Sequence, residues 1–204
     1  AIRETKRNIR LVYASSAAVY GNTEKLPCDD EADLSYSTLS PYALEKANNE
    51  RYADLYARLF GIQSLGLRYF NAYGTRQDPK SPYSGVIAKF LDLYNKQEPI
   101  TIYGKGGQSR DFIFIDDIAK SNLLALQSEF CGSVNIATGK PETLLNLVNY
   151  LNDITNRPAE INFLPERLGD IPKSYAKVSK AQQALSFTAS VSLRDGIQKL
   201  AING

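Results

Sequence analysis

Apolar and polar positions along this chain switch between two periods, and the switches mark its elements. Residues 9–14, Ile-Arg-Leu-Val-Tyr-Ala, form a β-branched and aromatic run ending at Ser15-Ser16. Such a run predicts a buried strand whose polar end lies where ligands bind in parallel sheets. Ser40-Pro41 supplies a helix N-cap and a proline at the first helical position, and Gly61 stands ready to end that helix near Phe60. Tyr52, Leu55, Tyr56 and Leu59 recur at helical spacing and predict its apolar stripe. Residues 64–70 predict a second strand, finishing at Asn71. Strand, long helical crossover and strand together predict parallel pairing in an α/β sheet.

Further along, residues 86–96 predict a helix, 100–103 a strand, 104–107 a glycine-rich turn and 112–115 another strand. Asp116 is the expected cap of a helix reaching about residue 129. Residues 134–136 and 161–163 predict strands, 144–154 a helix, and 179–203 two short helices. Residues 1–8 read as helix, while 21–39 and 74–85, dense in turn residues, read as loops. No repeat or low-complexity segment interrupts this order.

Composition narrows the classes without choosing a function. The 204 residues are 43% hydrophobic and 23% charged, ordinary for a globular protein. A net charge of +2 makes no electrostatic case for nucleic acid or an anionic membrane as partner. No apolar run is long enough to span a bilayer. Arg3, Glu4, Lys6 and Arg7 break up any secretory signal. Cys28 and Cys131 stand far apart, in neither a metal-ligand nor a disulfide-scaffold spacing, and read as reduced cytosolic thiols or simply as small buried residues. The chain contains no Met and opens inside a predicted helix, which reads as a fragment.

One pair of residues changes the picture. Tyr42 and Lys46 are four residues apart on the predicted helix, so their side chains share one face. A free tyrosine, with a pKa of about 10, is too weakly acidic to serve as a base at neutral pH. An adjacent ammonium favours the phenolate, which can then take a proton from a substrate hydroxyl. The spacing alone is a weak signal, and by itself it favours an ordinary amphipathic surface helix.

Its surroundings add to it. The stretches 11–21 (Leu-Val-Tyr-Ala-Ser-Ser-Ala-Ala-Val-Tyr-Gly), 40–46 (Ser-Pro-Tyr-Ala-Leu-Glu-Lys) and 67–74 (Leu-Arg-Tyr-Phe-Asn-Ala-Tyr-Gly) follow in that order. With 109–112 (Ser-Arg-Asp-Phe), 167–170 (Arg-Leu-Gly-Asp) and Ser192-Leu193, the set resembles the extended short-chain dehydrogenase/reductase family and, within it, the nucleotide-sugar 4-epimerases. The resemblance covers nearly the whole chain. It implies an NAD cofactor and a UDP-sugar substrate. Ser16, Tyr42 and Lys46 match the catalytic positions, and Ser15, Tyr69 and Phe70, with Tyr42 and Lys46, the cofactor contacts. Ser16 and Asn71 match contacts to the nucleotide sugar, and Arg110 and Arg167 match cations on its diphosphate. Asp170 matches an acceptor for the nucleotide ribose. Ile100, Thr101 and Tyr103 fall on the segment that sandwiches the uracil. No metal is implied.

Departures from the family pattern sharpen the expectation. Dehydratases and decarboxylases of the family carry acidic residues after the catalytic hydroxyl residue; here these positions are Ala17 and Ala18, which favours epimerisation. Ser174 matches a position beside the carbon-2 substituent of the sugar, where a small residue admits an N-acetyl group. Residues 68–71 followed by Arg76-Gln77-Asp78-Pro79 resemble the UDP-N-acetylglucosamine branch. A UDP-glucuronate 4-epimerase is the alternative enzyme, and a non-catalytic nucleotide- or partner-binding relative the alternative of another class. None of the 13 glycines forms the family's Gly-x-Gly-x-x-Gly turn. The resemblance thus implies a Rossmann-like doubly wound parallel sheet lacking roughly 110–120 upstream residues, with a smaller α/β substrate-binding domain. Residues 1–74, rejoined by 112–138, would be the second half of the NAD-binding domain, and 75–204 mainly the nucleotide-sugar domain. Such a chain is expected to bind NAD weakly by itself and to expose a sheet edge. Family members often form homodimers through a helix bundle, to which the helix at 42–60 would contribute.

Overall fold

The computed structural model describes residues 1–5, 7–34, 38–81, 84–167 and 169–203. Lys6, in the expected first helix, and Leu168, in the 167–170 motif, lie outside the described residues. The chain begins with α1 (Ile2–Thr5), β1 (Leu11–Ser16), a 3-10 turn (Ala17–Tyr20), α2 (Pro41–Phe60), β2 (Ser64–Tyr69) and β3 (Asn71–Tyr73). Then follow α3 (Val86–Asn95), β4 (Ile100–Tyr103), β5 (Ser109–Phe114), α4 (Ile115–Gln127) and β6 (Gly132–Ile136). The remainder is β7 (Pro141–Thr143), α5 (Leu144–Thr155), β8 (Ile161–Leu164), β9 (Lys173–Ser174), α6 (Ser179–Leu185) and α7 (Leu193–Asn203).

The helix carrying Tyr42 forms where its punctuation dictates. Ser40 Oγ accepts the Ala43 amide at 3.1 Å, Pro41 needs no partner at the first position, and Gly61 closes the end at φ 64°. Only Ala43 and Ala47 are buried along its length. Small residues let the helix axis approach the sheet closely, while longer side chains flank the contact. The expected stripe faces outward instead: Tyr52 is 64% and Leu59 61% exposed.

Beneath α2 lies a parallel sheet in the order β1-β2-β6. The pleat sends alternate residues to opposite faces. Val12, Leu65, Leu67, Val134 and Ile136 form an apolar face against α4 and α6. The other face, toward α2, carries Ser15, Arg68 and Asn135, which are ladder partners of one another and all buried. Tyr13 crosses Gly66 so closely that a Cβ there would overlap its ring, and burial pushes the Tyr13 hydroxyl up to about 12.

The second half of the chain builds two further sheets, β3-β5-β7 with β9 on β5, and the parallel pair β4-β8. Packed against β4 and β5 are α3, α5 and α7, with Phe90, Ile102, Phe112, Leu147 and Ile197 at the centre of that core. Within 112–138, β6 joins the β1-β2 sheet and α4 packs on it, whereas the β5 residues pair with β3.

Three expectations need correction. Of the helix expected at 1–8, the described residues hold one turn, Ile2–Thr5, and no residue of that turn is buried. Asp116 lies within the first turn of α4 and does not cap it; Phe114 occupies the cap position. The strand expected at 112–115 starts earlier, at Ser109, because β7 and β9 pair with its first residues. Among the described residues no helix is long and apolar enough to cross a membrane.

Candidate active site

The carboxyl ends of β1, β2 and β6 point the same way, and the described chemistry gathers there. Ser16 is the last residue of β1; its Oγ accepts the Ala18 amide at 3.2 Å and so starts the 3-10 turn. Tyr42 sits in the first turn of α2, 47% exposed. Lys46 lies one turn below it, with Nζ 5.6 Å from the Tyr42 ring centroid, and donates to the Ala14 carbonyl at 3.0 Å. The ammonium is therefore anchored to the same strand end that carries Ser16, and α2 packs directly on the 3-10 turn.

Tyr42 opens onto a cavity of about 550 Å³, lined also by Phe70, Asn71, Tyr73, Gln77 and Phe112. Phe70 keeps its backbone amide engaged with the Ile136 carbonyl at 3.1 Å. A second hollow of about 240 Å³ is lined by Tyr103, Gln108, Arg167, Asp170 and Lys173 among others. Arg167 lays its guanidinium 3.6 Å over the Tyr103 ring. Arg110 donates to Asp170 at 2.8 Å. Burial holds the Arg110 guanidinium below its ordinary value, with Asp170 opposing. Arg110 and Phe112, two apart on β5, share a face and link the two regions. Asp111, fully enclosed, turns the other way and accepts from the amides of Thr138, Gly139 and Ala176. Burial raises its carboxyl above the usual range.

The other residues singled out from the sequence fall in different places. Ser15 turns its hydroxyl to Glu50 at 2.5 Å, away from the cavity, and the Tyr69 ring packs on the α4 face of the sheet. Their side chains are thus committed to the fold, leaving only backbone to a cofactor. Ile100 is fully buried in the core, so its side chain supports β4 and presents nothing to a ligand. Thr101 is half-buried beside it, and Ser174 pairs with Arg110 across β5 and β9. Arg110 and Asp170, expected as separate ligands, neutralise each other.

Two residues given no site role from the sequence stand out. Gln77 lines the Tyr42 cavity, and among the described residues its buried Oε1 has no hydrogen-bond partner. Gln108 Nε2 donates to the Tyr103 carbonyl at 2.7 Å and so steadies the second hollow. Gln77 carries only its place in the 76–79 stretch and Gln108 no signal at all, because a glutamine in a loop shows no periodicity. Among the described residues no group of three or more His, Cys, Asp or Glu is placed to hold a metal.

Residues 1–137 match the NAD dependent epimerase/dehydratase family. A putative UDP-glucose 4-epimerase of Methanocaldococcus jannaschii is 38% identical over 94% of this chain and 61% of its own length. The solved UDP-N-acetylglucosamine 4-epimerase from Methanobrevibacter ruminantium M1, in complex with UDP-N-acetylmuramic acid, superposes with a TM-score of 0.90 at 34% identity, covering 99% of this chain and 66% of that one. The UDP-glucuronic acid 4-epimerase from Bacillus cereus, in complex with UDP-glucuronic acid and NAD, gives 0.83 at 29% identity over 95% of this chain and 61% of that one. The chain spans 57–61% of the length of the first curated relatives it matches.

Proposed function

This chain belongs to the NAD dependent epimerase/dehydratase family, and on that premise we propose that it is the catalytic and substrate-binding portion of a UDP-hexose 4-epimerase acting on UDP-N-acetylhexosamines. The observation that carries the reading is the Tyr42–Lys46 pair at a cavity mouth, with Lys46 fixed to the strand end that bears Ser16. Residues 1–74 with 112–138 act as the second half of the NAD-binding domain and 75–204 mainly as the nucleotide-sugar domain. The β6 strand joining β1 and β2 supports that division.

The residues present fit the nicotinamide-ribose end of NAD. Lys46 offers an anchored cation and Tyr42 a hydroxyl beside the carboxyl ends of parallel strands, where such sheets take their ligands. When bound, NAD accepts and returns a hydride at carbon 4 of the sugar. Tyr42 takes the proton of the 4-hydroxyl as that carbon is oxidised and gives it back when the carbon is reduced. Ser16 holds the same hydroxyl in line with Tyr42. Asn71 and the Arg167 side would hold the nucleotide end while the 4-keto sugar turns over and presents its other face. Ala17 and Ala18 follow Ser16 without a carboxyl, so nothing beside it assists loss of a hydroxyl group. Ser174, small and next to Arg110, supports an N-acetyl substituent at carbon 2. The outward apolar residues of α2 support a homodimer in the full-length protein, and the free thiols of Cys28 and Cys131 a cytoplasmic one.

Proton NMR of UDP-N-acetylglucosamine incubated with the full-length protein tests the proposal. The 4-epimer is expected to accumulate without net formation of NADH. Stoichiometric NADH, or turnover of UDP-glucuronate in preference to the N-acetylated sugar in direct competition, would contradict it.

A further inference from the structure

Tyr42, Lys46 and Glu50 succeed one another at four-residue steps along one flank of α2. Glu50 does not line the Tyr42 cavity. Its carboxylate is gripped by Arg68 as a two-pronged fork, Nε to Oε1 at 2.9 Å and Nη2 to Oε2 at 2.7 Å, with the two side chains 11% and 6% exposed. The same Oε1 accepts the Ser15 hydroxyl at 2.5 Å. Arg68 Nη1 donates to the Tyr20 hydroxyl at 2.8 Å and to the Asp30 carbonyl at 3.0 Å. Tyr20 passes the chain on to Asn135 at 2.7 Å. Burial alone would lower the Arg68 guanidinium, yet the Glu50 and Tyr20 contacts outweigh it and hold it above its ordinary value.

Such a pair is a poor device for stability alone. Desolvation offsets most of the attraction between buried charges, and apolar side chains of similar volume would hold α2 on the sheet as well or better. What a fork adds is geometry, since it resists both sliding and rotation of the helix. Two successive turns of α2 grip two successive residues of β1: Lys46 holds the Ala14 carbonyl and Glu50 holds the Ser15 hydroxyl. Ser16 comes next. We infer that Glu50 and Arg68 are positioning residues that lock α2 in register on the end of β1, so that the Tyr42 hydroxyl meets Ser16 at proton-transfer distance. The inference rests on the reading of the cavity as a 4-epimerase site.

Three variants of the full-length protein test it: the Glu50→Leu/Arg68→Met double variant, Glu50→Gln, and Tyr42→Phe as control. With UDP-N-acetylglucosamine, the double variant is expected to melt no lower than the parent while kcat falls about 10–100-fold and KM stays within about twofold. A folded double variant with the parent's kcat would overturn the inference, because a purely structural pair is replaceable in this way. If the double variant does not fold, Glu50→Gln decides on the same criterion: reduced kcat at unchanged KM supports positioning, and parental kcat overturns it. Tyr42→Phe separates the two levels. Turnover surviving in that variant overturns the site reading and the inference together. Turnover lost there but kept in the pair variants overturns the inference alone.

Discussion

Asp30 sits 7% exposed beside the polar row under α2, its Oδ1 accepting the Asn135 amide at 2.5 Å. Burial pushes its carboxyl up to about 6, against an ordinary 3.8, and the amide only partly opposes. The folded chain therefore holds this proton more tightly than the unfolded one. Stability from Asp30 is full below the unfolded value and declines as pH rises toward the folded one. Asp30→Asn keeps an acceptor for Asn135 and removes the titration. Its thermal midpoint relative to the parent is expected to rise between pH 4 and pH 7, by roughly 2–4 °C for each kcal/mol at this length. An advantage that shrinks across that range, read by calorimetry, would count against it. Arg167 offers a test far from the reacting carbon. A charge-assisted contact to a diphosphate contributes about 1.5–3 kcal/mol, so Arg167→Ala is expected to raise KM roughly 10–100-fold with little change in kcat. A fall in kcat at constant KM would assign Arg167 to the chemistry instead.

Among the elements, α2 is the most legible, because Ser40, Pro41 and Gly61 are local signals that tertiary packing did not overrule. Loss of the cap in Ser40→Ala is expected to cost about 1 kcal/mol, measured as a drop in denaturation midpoint. The strands β1, β2 and β4 were also legible, being short apolar runs with clear stops. Others were not. The three-residue β3 and β7 and the two-residue β9 carry too few positions for any period to show, and they exist only because β5 offers edges. The start of α4 misled for a different reason. Asp116 looks like a cap, but Phe114 takes that position, and the next carboxylate, Asp117, is spent on the Ser190 and Val191 amides, tying the helix to the segment before α7. Within α7, Gly196 passes under the Tyr73 hydroxyl with no room for a Cβ. Gly196→Ala is expected to destabilise the fold by about 1–3 kcal/mol through overpacking, despite alanine's better helix propensity. An unchanged midpoint would contradict that packing.

Across the whole molecule, the α/β class and its parallel pairing were legible in the sequence. Tyr42, Lys46 and Ser16, the proposed chemistry, could be singled out only because three separate stretches together resemble one family. The Glu50–Arg68 fork was not, since it joins residues 18 apart through a sheet face that only the register of β1, β2 and β6 makes polar. The division into three sheets was equally hidden, as it depends on which strands find each other. The outward face of α2 is where the proposed dimer is tested. Tyr52→Glu with Leu59→Glu is expected to convert a dimeric full-length protein to monomer in sedimentation velocity, and a monomeric parent would contradict the proposed dimer. The central claim is that the Tyr42 hydroxyl carries the proton of the reaction. Its most direct test is kcat of the folded full-length Tyr42→Phe variant on UDP-N-acetylglucosamine. A loss of about 10²–10⁴-fold is expected, and a rate within a few-fold of the parent's would contradict the account.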